Sequence, residues 1–180
     1  MNKKLTIKNM ALIALFAALT CVLAPLSLPI GPVPISLATL VIYLAVCVLG
    51  AWKGTTSTLV YILLGLVGLP VFSGFSGGAG KLFGPTGGYI IGYIPLAIIS
   101  GIFLEKFATK WYMCLVGMIL GTIACYALGT AWLAHAAHYS FKAALWAGVI
   151  PFIPGDLIKI VIALFGGNAI RKALIRAHVL

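Results

Sequence analysis

Asp156 and Lys159 are the two residues of this chain whose chemistry stands out. They lie in the apolar run PFIPGDLIK, residues 151–159, and Asp156 is one of only two acids in 180 residues. On a helix, a spacing of three puts both groups on one face. An ionisable side chain at membrane depth is costly, and it marks a functional site whose partner is usually close by. A carboxylate here can accept N–H bonds from a ligand. Two plainer roles compete: Asp156 can cap the last helix after Pro154 and Gly155, and Lys159 can snorkel to the outer surface. The roles are compatible, because a capping aspartate can keep an oxygen free.

A second candidate is the run GLPVFSGFSGGAGKLFGPTGGY, residues 68–89. Glycine lets the backbone approach a ligand closely and exposes its N–H and C=O groups. Phe72, Phe75, Phe83 and Tyr89 can wall an apolar ligand, with Ser76, Gly77 and Gly78 offering polar and backbone contacts. The alternative is an outward loop with no ligand contact. The GAGK sequence ending at Lys81 is not a P-loop: that motif needs Gly at 75 and Ser or Thr at 82, where this chain has Phe75 and Leu82.

Other constellations are weaker. His135 and His138 have the spacing of a metal pair without a third ligand, and read better as polar loop residues. Cys21, Cys47, Cys114 and Cys125 all fall in apolar segments without a C-x-x-C pair, the pattern of buried cysteine. Glu105 and Asp156 fall near opposite membrane faces, and no nucleophile has a base beside it, so an enzyme is the weaker class. Ala14 and Ala18 form a small-residue helix face that lets another helix come close, and Gly117 and Gly121 form a second. Internal packing and intermolecular contact both fit the alanine face.

The elements that must position these groups are membrane helices. The chain is 63% hydrophobic and 8% charged, with a mean hydropathy of +1.19. A soluble domain carries roughly three times that charge. Six apolar segments can be drawn, at 9–24, 36–52, 55–70, 87–104, 111–134 and 156–171. The last can continue as an amphipathic helix through Arg171 and Arg176, and 139–155 reads as a partly inserted helix. The expectation is one all-α membrane domain over residues 1–180, multi-pass in the cytoplasmic membrane of a prokaryote, with no cleaved signal peptide.

Six spans put both termini on one side, which collects Lys3, Lys4, Lys8, Lys53, Lys106, Lys110, Arg171, Lys172 and Arg176. The opposite side has Lys81, Lys142 and Lys159. By the positive-inside rule both termini are cytoplasmic. The formal charge of +10 is spread between spans, unlike a nucleic-acid surface. The outward connections, 25–36, 71–87 and 135–155, are long and rich in Gly and Pro. Backbone this apolar is tolerated at membrane depth only inside protein or along a cavity, so a lidded pocket under these loops is expected. No internal repeat supports an inverted-repeat carrier.

The stretches GLPVF at 68–72, GPTGGYIIG at 84–92 and PFIPGDLIK at 151–159, with ALFAA at 14–18, resemble the BioY family. These are the biotin-specific substrate-binding (S) components of energy-coupling factor (ECF) transporters. The resemblance covers nearly the whole chain. It implies a six-helix S component with an outward biotin site, docked through the Ala14 and Ala18 face to a transmembrane coupling subunit and two ATPases. ATP would then be used by those partners, with no cofactor in this chain. Biotin's ureido ring has two N–H donors and a carbonyl, and its tail ends in a carboxylate. Asp156 would accept the N–H groups, and Lys159 would serve the carbonyl or the tail. Some relatives place an amide side chain in the loop matching 77–80. This chain has Ala79 there, so Ser73, Ser76 or backbone groups would have to replace it. An S component for another vitamin, and a free-standing ion-coupled carrier using Asp156, are the rival readings.

Overall fold

A computed structural model describes residues 6–29, 33–108 and 110–177. Lys3, Lys4 and residues 30–32 of the first outward connection lie outside the described residues. Among the described residues eight helices follow one another: α1 (Ile7–Leu23), α2 (Ala38–Leu49), α3 (Ala51–Leu66), α4 (Ala79–Phe83), α5 (Gly87–Lys106), α6 (Trp111–Ala136), α7 (Phe141–Gly148) and α8 (Ile153–Arg176). Each of the six expected segments contains a helix, although that expected at 55–70 runs from Ala51 to Leu66, and the last does run on to Arg176. Each long connection adds a small element. The first holds an antiparallel pair, β1 (Ser27–Leu28) and β2 (Ile35–Ser36), in which Ser27 faces Ser36. The second holds α4 and the third α7.

Helices α5, α6 and α8 are long and apolar enough to cross a membrane, while α1 and α2 are apolar but shorter. At 12 residues, α2 is only about 18 Å long. It is shorter than the apolar run at 36–52 because Ser36 joins the hairpin and Gly50 ends the helix. Its surroundings explain why that suffices. Nine of its 12 residues are buried, against α1, α3, α5 and α8. A helix lined by protein has no need to match the lipid thickness.

The tightest seam joins α5 and α6. A Cβ on Gly121 would meet Ser100 and Leu96, and one on Gly117 would meet Phe103. The small-residue face of α6 is therefore internal packing. The alanine face of α1 is different: Ala14 and Ala18 are exposed, while Leu12, Ile13, Phe16 and Ala17 point inward.

Gly50 alone separates α2 from α3, at φ +84°, a backbone region that a side chain disfavours. The Glu105 carboxylate accepts the Ala51 N–H at 2.9 Å. The second acid of the chain thus satisfies a free donor at the start of α3. This packs the ends of α2 and α5 and the start of α3 together. Arg171 donates to the Cys47 carbonyl, and Lys53 to the Asn9 side chain, so α8 and α1 meet at the same end. Lys8, Lys53, Lys106, Lys110, Arg171, Lys172 and Arg176 all sit there. Asp156 lies 15 residues back along α8, about 22 Å away.

Replacing Glu105 by Ala should lower stability by roughly 1 kcal/mol, the usual loss for a helix cap. Glu105→Gln, which keeps an acceptor, should lose less. Thermal unfolding in detergent checks this, and equal midpoints for wild type and Glu105→Ala would remove the cap from the fold's support.

Candidate functional site

Helix α8 begins beneath the third connection, with Pro154 in its first turn, where a missing N–H costs nothing. Asp156 and Lys159 are 5% and 8% exposed. The Asp156 carboxylate caps no helix. Its Oδ1 accepts from Lys159 Nζ at 2.9 Å and from the Thr39 hydroxyl at 3.3 Å, and its Oδ2 accepts from the Tyr126 hydroxyl at 2.6 Å. Nor does Lys159 snorkel outward. Its ammonium also donates to the Ser36 carbonyl at 2.7 Å and to the Thr39 hydroxyl at 3.3 Å. The ion pair therefore ties α8 to β2, α2 and α6.

These bonds leave the groups unequally occupied. An ammonium has three donors, and all of Lys159's are taken. A carboxylate has about four lone-pair sites, and the three bonds leave one on Oδ2. Asp156 can accept one more N–H without losing a partner. Lys159 can serve a new acceptor only by releasing one, and the 3.3 Å bond to Thr39 is the longest.

The pair opens on a small cavity. Val33, Pro34 and Ser36 close it from the first connection, Gly148 and Phe152 from the third, and Tyr89, Tyr93 and Tyr126 form its aromatic walls. About 40 Å³ is free, room for a few waters. Beyond the Tyr126–Asp156 bond lies an apolar cleft of about 280 Å³ between α6 and α8, lined by Ile119, Ile123, Val149, Ile153 and Leu157. Below the cavity, Tyr43 on α2 bonds to Thr122 on α6. Thr122 spends its own proton on the Met118 carbonyl, so Tyr43 is the donor.

Of the candidate binding residues read from the sequence, the fold brings Asp156, Lys159 and Tyr89 to this cavity, and the buried Cys125 lines it too. Tyr89 packs against Gly129 and Gly148, with its hydroxyl 3.5 Å from that of Thr130. The glycine loop lies elsewhere. Phe72 is fully buried in a separate apolar cluster, edge-on to Tyr61 with ring centres 5.7 Å apart. Its N–H donates to the Ser76 carbonyl, and the Ser76 hydroxyl donates to the Ser73 carbonyl. Gly77 packs against the Leu69 carbonyl, and Gly78 donates to the Gly65 carbonyl at 2.7 Å. None of these four lines the cavity. Tyr93 links the two regions, since it packs against both apolar clusters.

Thr39, Tyr126, Tyr93 and Ser36 were not singled out in the sequence. Tyr93 follows Tyr89 by four residues, a same-face spacing that was legible. Thr39 and Tyr126 lie 117 and 30 residues from Asp156, and only the folded chain joins them.

A buried ion pair facing a small cavity at one end of an apolar helical bundle is the arrangement of a membrane-embedded binding protein. The model of the BioY family matches residues 1–176. The chain belongs to the BioY family. It is 43% identical over 150 residues to the biotin transporter BioY of Thermotoga maritima, covering 83% of this chain and 87% of that one. It is 42% identical over 152 residues to the probable biotin transporter BioY of Pyrococcus horikoshii, covering 84% and 89%. Its fold matches the crystal structure of an S-component for biotin from an ECF-type ABC transporter. The TM-score is 0.86 at 33% identity, with 96% of this chain and 95% of the other covered.

Asp156→Ala would strand the Lys159 ammonium in a buried site. Breaking such a pair on one side costs about 3 kcal/mol or more, whereas replacing both partners by apolar groups is often near neutral. Asp156→Ala should therefore unfold at lower temperature than the double variant Asp156→Leu/Lys159→Met. The reverse order would mean that the pair is not desolvated.

Proposed function

We propose that this chain is the S component for biotin of an ECF-type transporter, capturing the vitamin at the outer face of the cell membrane. The observation that carries this reading is the buried Asp156–Lys159 pair facing the cavity, set in a member of the BioY family. The spare lone pair on Asp156 matches one ureido N–H. The second ureido N–H would replace the hydroxyl of Tyr126 or Thr39. Lys159 would exchange Thr39 for the ureido carbonyl or the tail carboxylate. Tyr89 and Tyr93 suit the apolar thioether ring.

A vitamin of this size needs a pocket of some hundreds of Å³, so the cavity must widen on binding. The first and third connections supply its outer wall, and their displacement makes the room. Phe72 belongs to the apolar cluster that Tyr93 packs against, and with Ser76, Gly77 and Gly78 it would reach the ligand once that wall moves. Six helices, α1, α2, α3, α5, α6 and α8, form the membrane bundle. The end with the seven described basic residues faces the cytoplasm by the positive-inside rule, together with both termini. The ion pair then lies towards the outside.

Energy comes from partners. No nucleotide motif is present, and a coupling subunit with two ATPases would supply ATP use. The exposed Ala14 and Ala18 face, with Leu15 and Leu19 beside it, suits close helix-to-helix contact with the coupling subunit.

Titration of the purified chain with biotin, thiamin and riboflavin tests the ligand. One-to-one binding of biotin without the other two is the expected result, and a folded protein that ignores biotin would overturn the assignment. Ala14→Trp should leave biotin binding intact and abolish co-purification with the coupling subunit. Loss of ligand binding instead would place that face in the internal packing.

A further inference from the structure

A second cavity lies at the opposite end of the bundle, about 210 Å³ in volume, between the C-terminal half of α8, the ends of α2 and α5, and the start of α6. Its floor is apolar, with Cys47, Leu104, Cys114 and Ile175, and its rim carries Asn168, Arg171 and Lys172. These basic groups have no acidic side chain to pair with. The chain has two acids. Asp156 is bound to Lys159, and Glu105 to the Ala51 N–H. Among the described residues Arg171 makes a single hydrogen bond, to the Cys47 carbonyl at 3.4 Å, which leaves most of its five donors unused there.

The surroundings place this cleft at the depth of lipid headgroups. Trp111 and Tyr112, 61% and 49% exposed, stand edge to face at the start of α6, and such aromatic residues gather at the membrane–water boundary. Cys114, in the first turn of α6, lines the cleft, so the uncapped N-terminus of that helix lies beside it. Helix N-termini favour anions. A pocket with a cationic rim, an apolar floor and this depth fits a phosphodiester carrying an acyl chain.

We propose that this cleft binds the headgroup of an anionic phospholipid, with Arg171 and Lys172 on the phosphate and Asn168 as a further donor. The site is separate from the ion pair of Asp156 and Lys159, and it would anchor the cytoplasmic end of α8 to lipid.

The test is native mass spectrometry of the chain purified from mixed phosphatidylglycerol and phosphatidylcholine, with retained lipid counted. Wild type should keep one phosphatidylglycerol in preference to phosphatidylcholine. Arg171→Gln and Lys172→Gln should each reduce that retention about fivefold, the effect of losing one cation at a lipid surface. Lys142→Gln, at the other end, should not. Lys172 is exposed and makes no bond within the described residues, so its variant reports binding without a folding defect. Equal retention of both lipids, or retention indifferent to both rim variants, would overturn the proposal. So would inorganic phosphate raising the unfolding temperature as much as phosphatidylglycerol does, which would assign the cleft to free phosphate. If the variants lost co-purifying protein partners but kept the lipid, the cleft would be a protein contact and the proposal would fall.

Discussion

A charge pair inside an apolar bundle is the constraint from which the rest of this structure follows. Neither Asp156 nor Lys159 is tolerable at membrane depth without the other, and together they still need partners for the remaining lone pairs and protons. Those partners come from Ser36, Thr39 and Tyr126, that is, from β2, α2 and α6. The pair therefore fixes how three parts of the chain meet α8. It also keeps a carboxylate preoriented, with one lone pair unspent, beside a cavity. Holding these groups ready before a ligand arrives reduces the ordering cost of binding.

The remaining architecture isolates that pair. Helix α2 is short and central, and can be so because protein rather than lipid surrounds it. The glycine seam between α5 and α6 closes one side of the site and sets Tyr89 and Tyr93 along its wall. The far end is held by a different device, the Glu105 carboxylate at the start of α3, which gathers the short turns where most of the basic residues lie. The two acids of the chain thus do different work at opposite ends, one beside the cavity and one in the scaffold. The outer wall consists of irregular connections, which can move without breaking the helices beneath them.

Much of this was legible in the sequence. Long apolar runs marked six of the eight helices described, since hydrophobic length is a strong signal in membrane proteins. The rarity of acids singled out Asp156, and its spacing gave Lys159. The carboxylate's partners were not legible, because Thr39 and Tyr126 come close only through the packing of α2 and α6 on α8. Neither was the burial of Phe72 in an apolar cluster away from the cavity. Glycine density at 74–80 suggested backbone open to a ligand; in the fold Gly74 and Gly78 take left-handed turn conformations, Gly77 packs against the Leu69 carbonyl, and Gly80 lies in α4. A glycine's freedom is the same in a turn as in a binding loop, so composition could not separate the two. The face of Gly117 and Gly121 and that of Ala14 and Ala18 carry the same small-residue pattern. Only burial distinguishes the packed face from the exposed one.

The most direct measurement is calorimetric titration of Asp156→Asn with biotin, beside Glu105→Gln. Asn keeps the size of the side chain but removes its charge and one acceptor. If the carboxylate holds the ureido N–H groups, biotin affinity should fall about tenfold or more in Asp156→Asn and stay unchanged in Glu105→Gln. Wild-type affinity in a folded Asp156→Asn protein would contradict the central claim and leave the ion pair as a purely structural link between α8, α2 and α6.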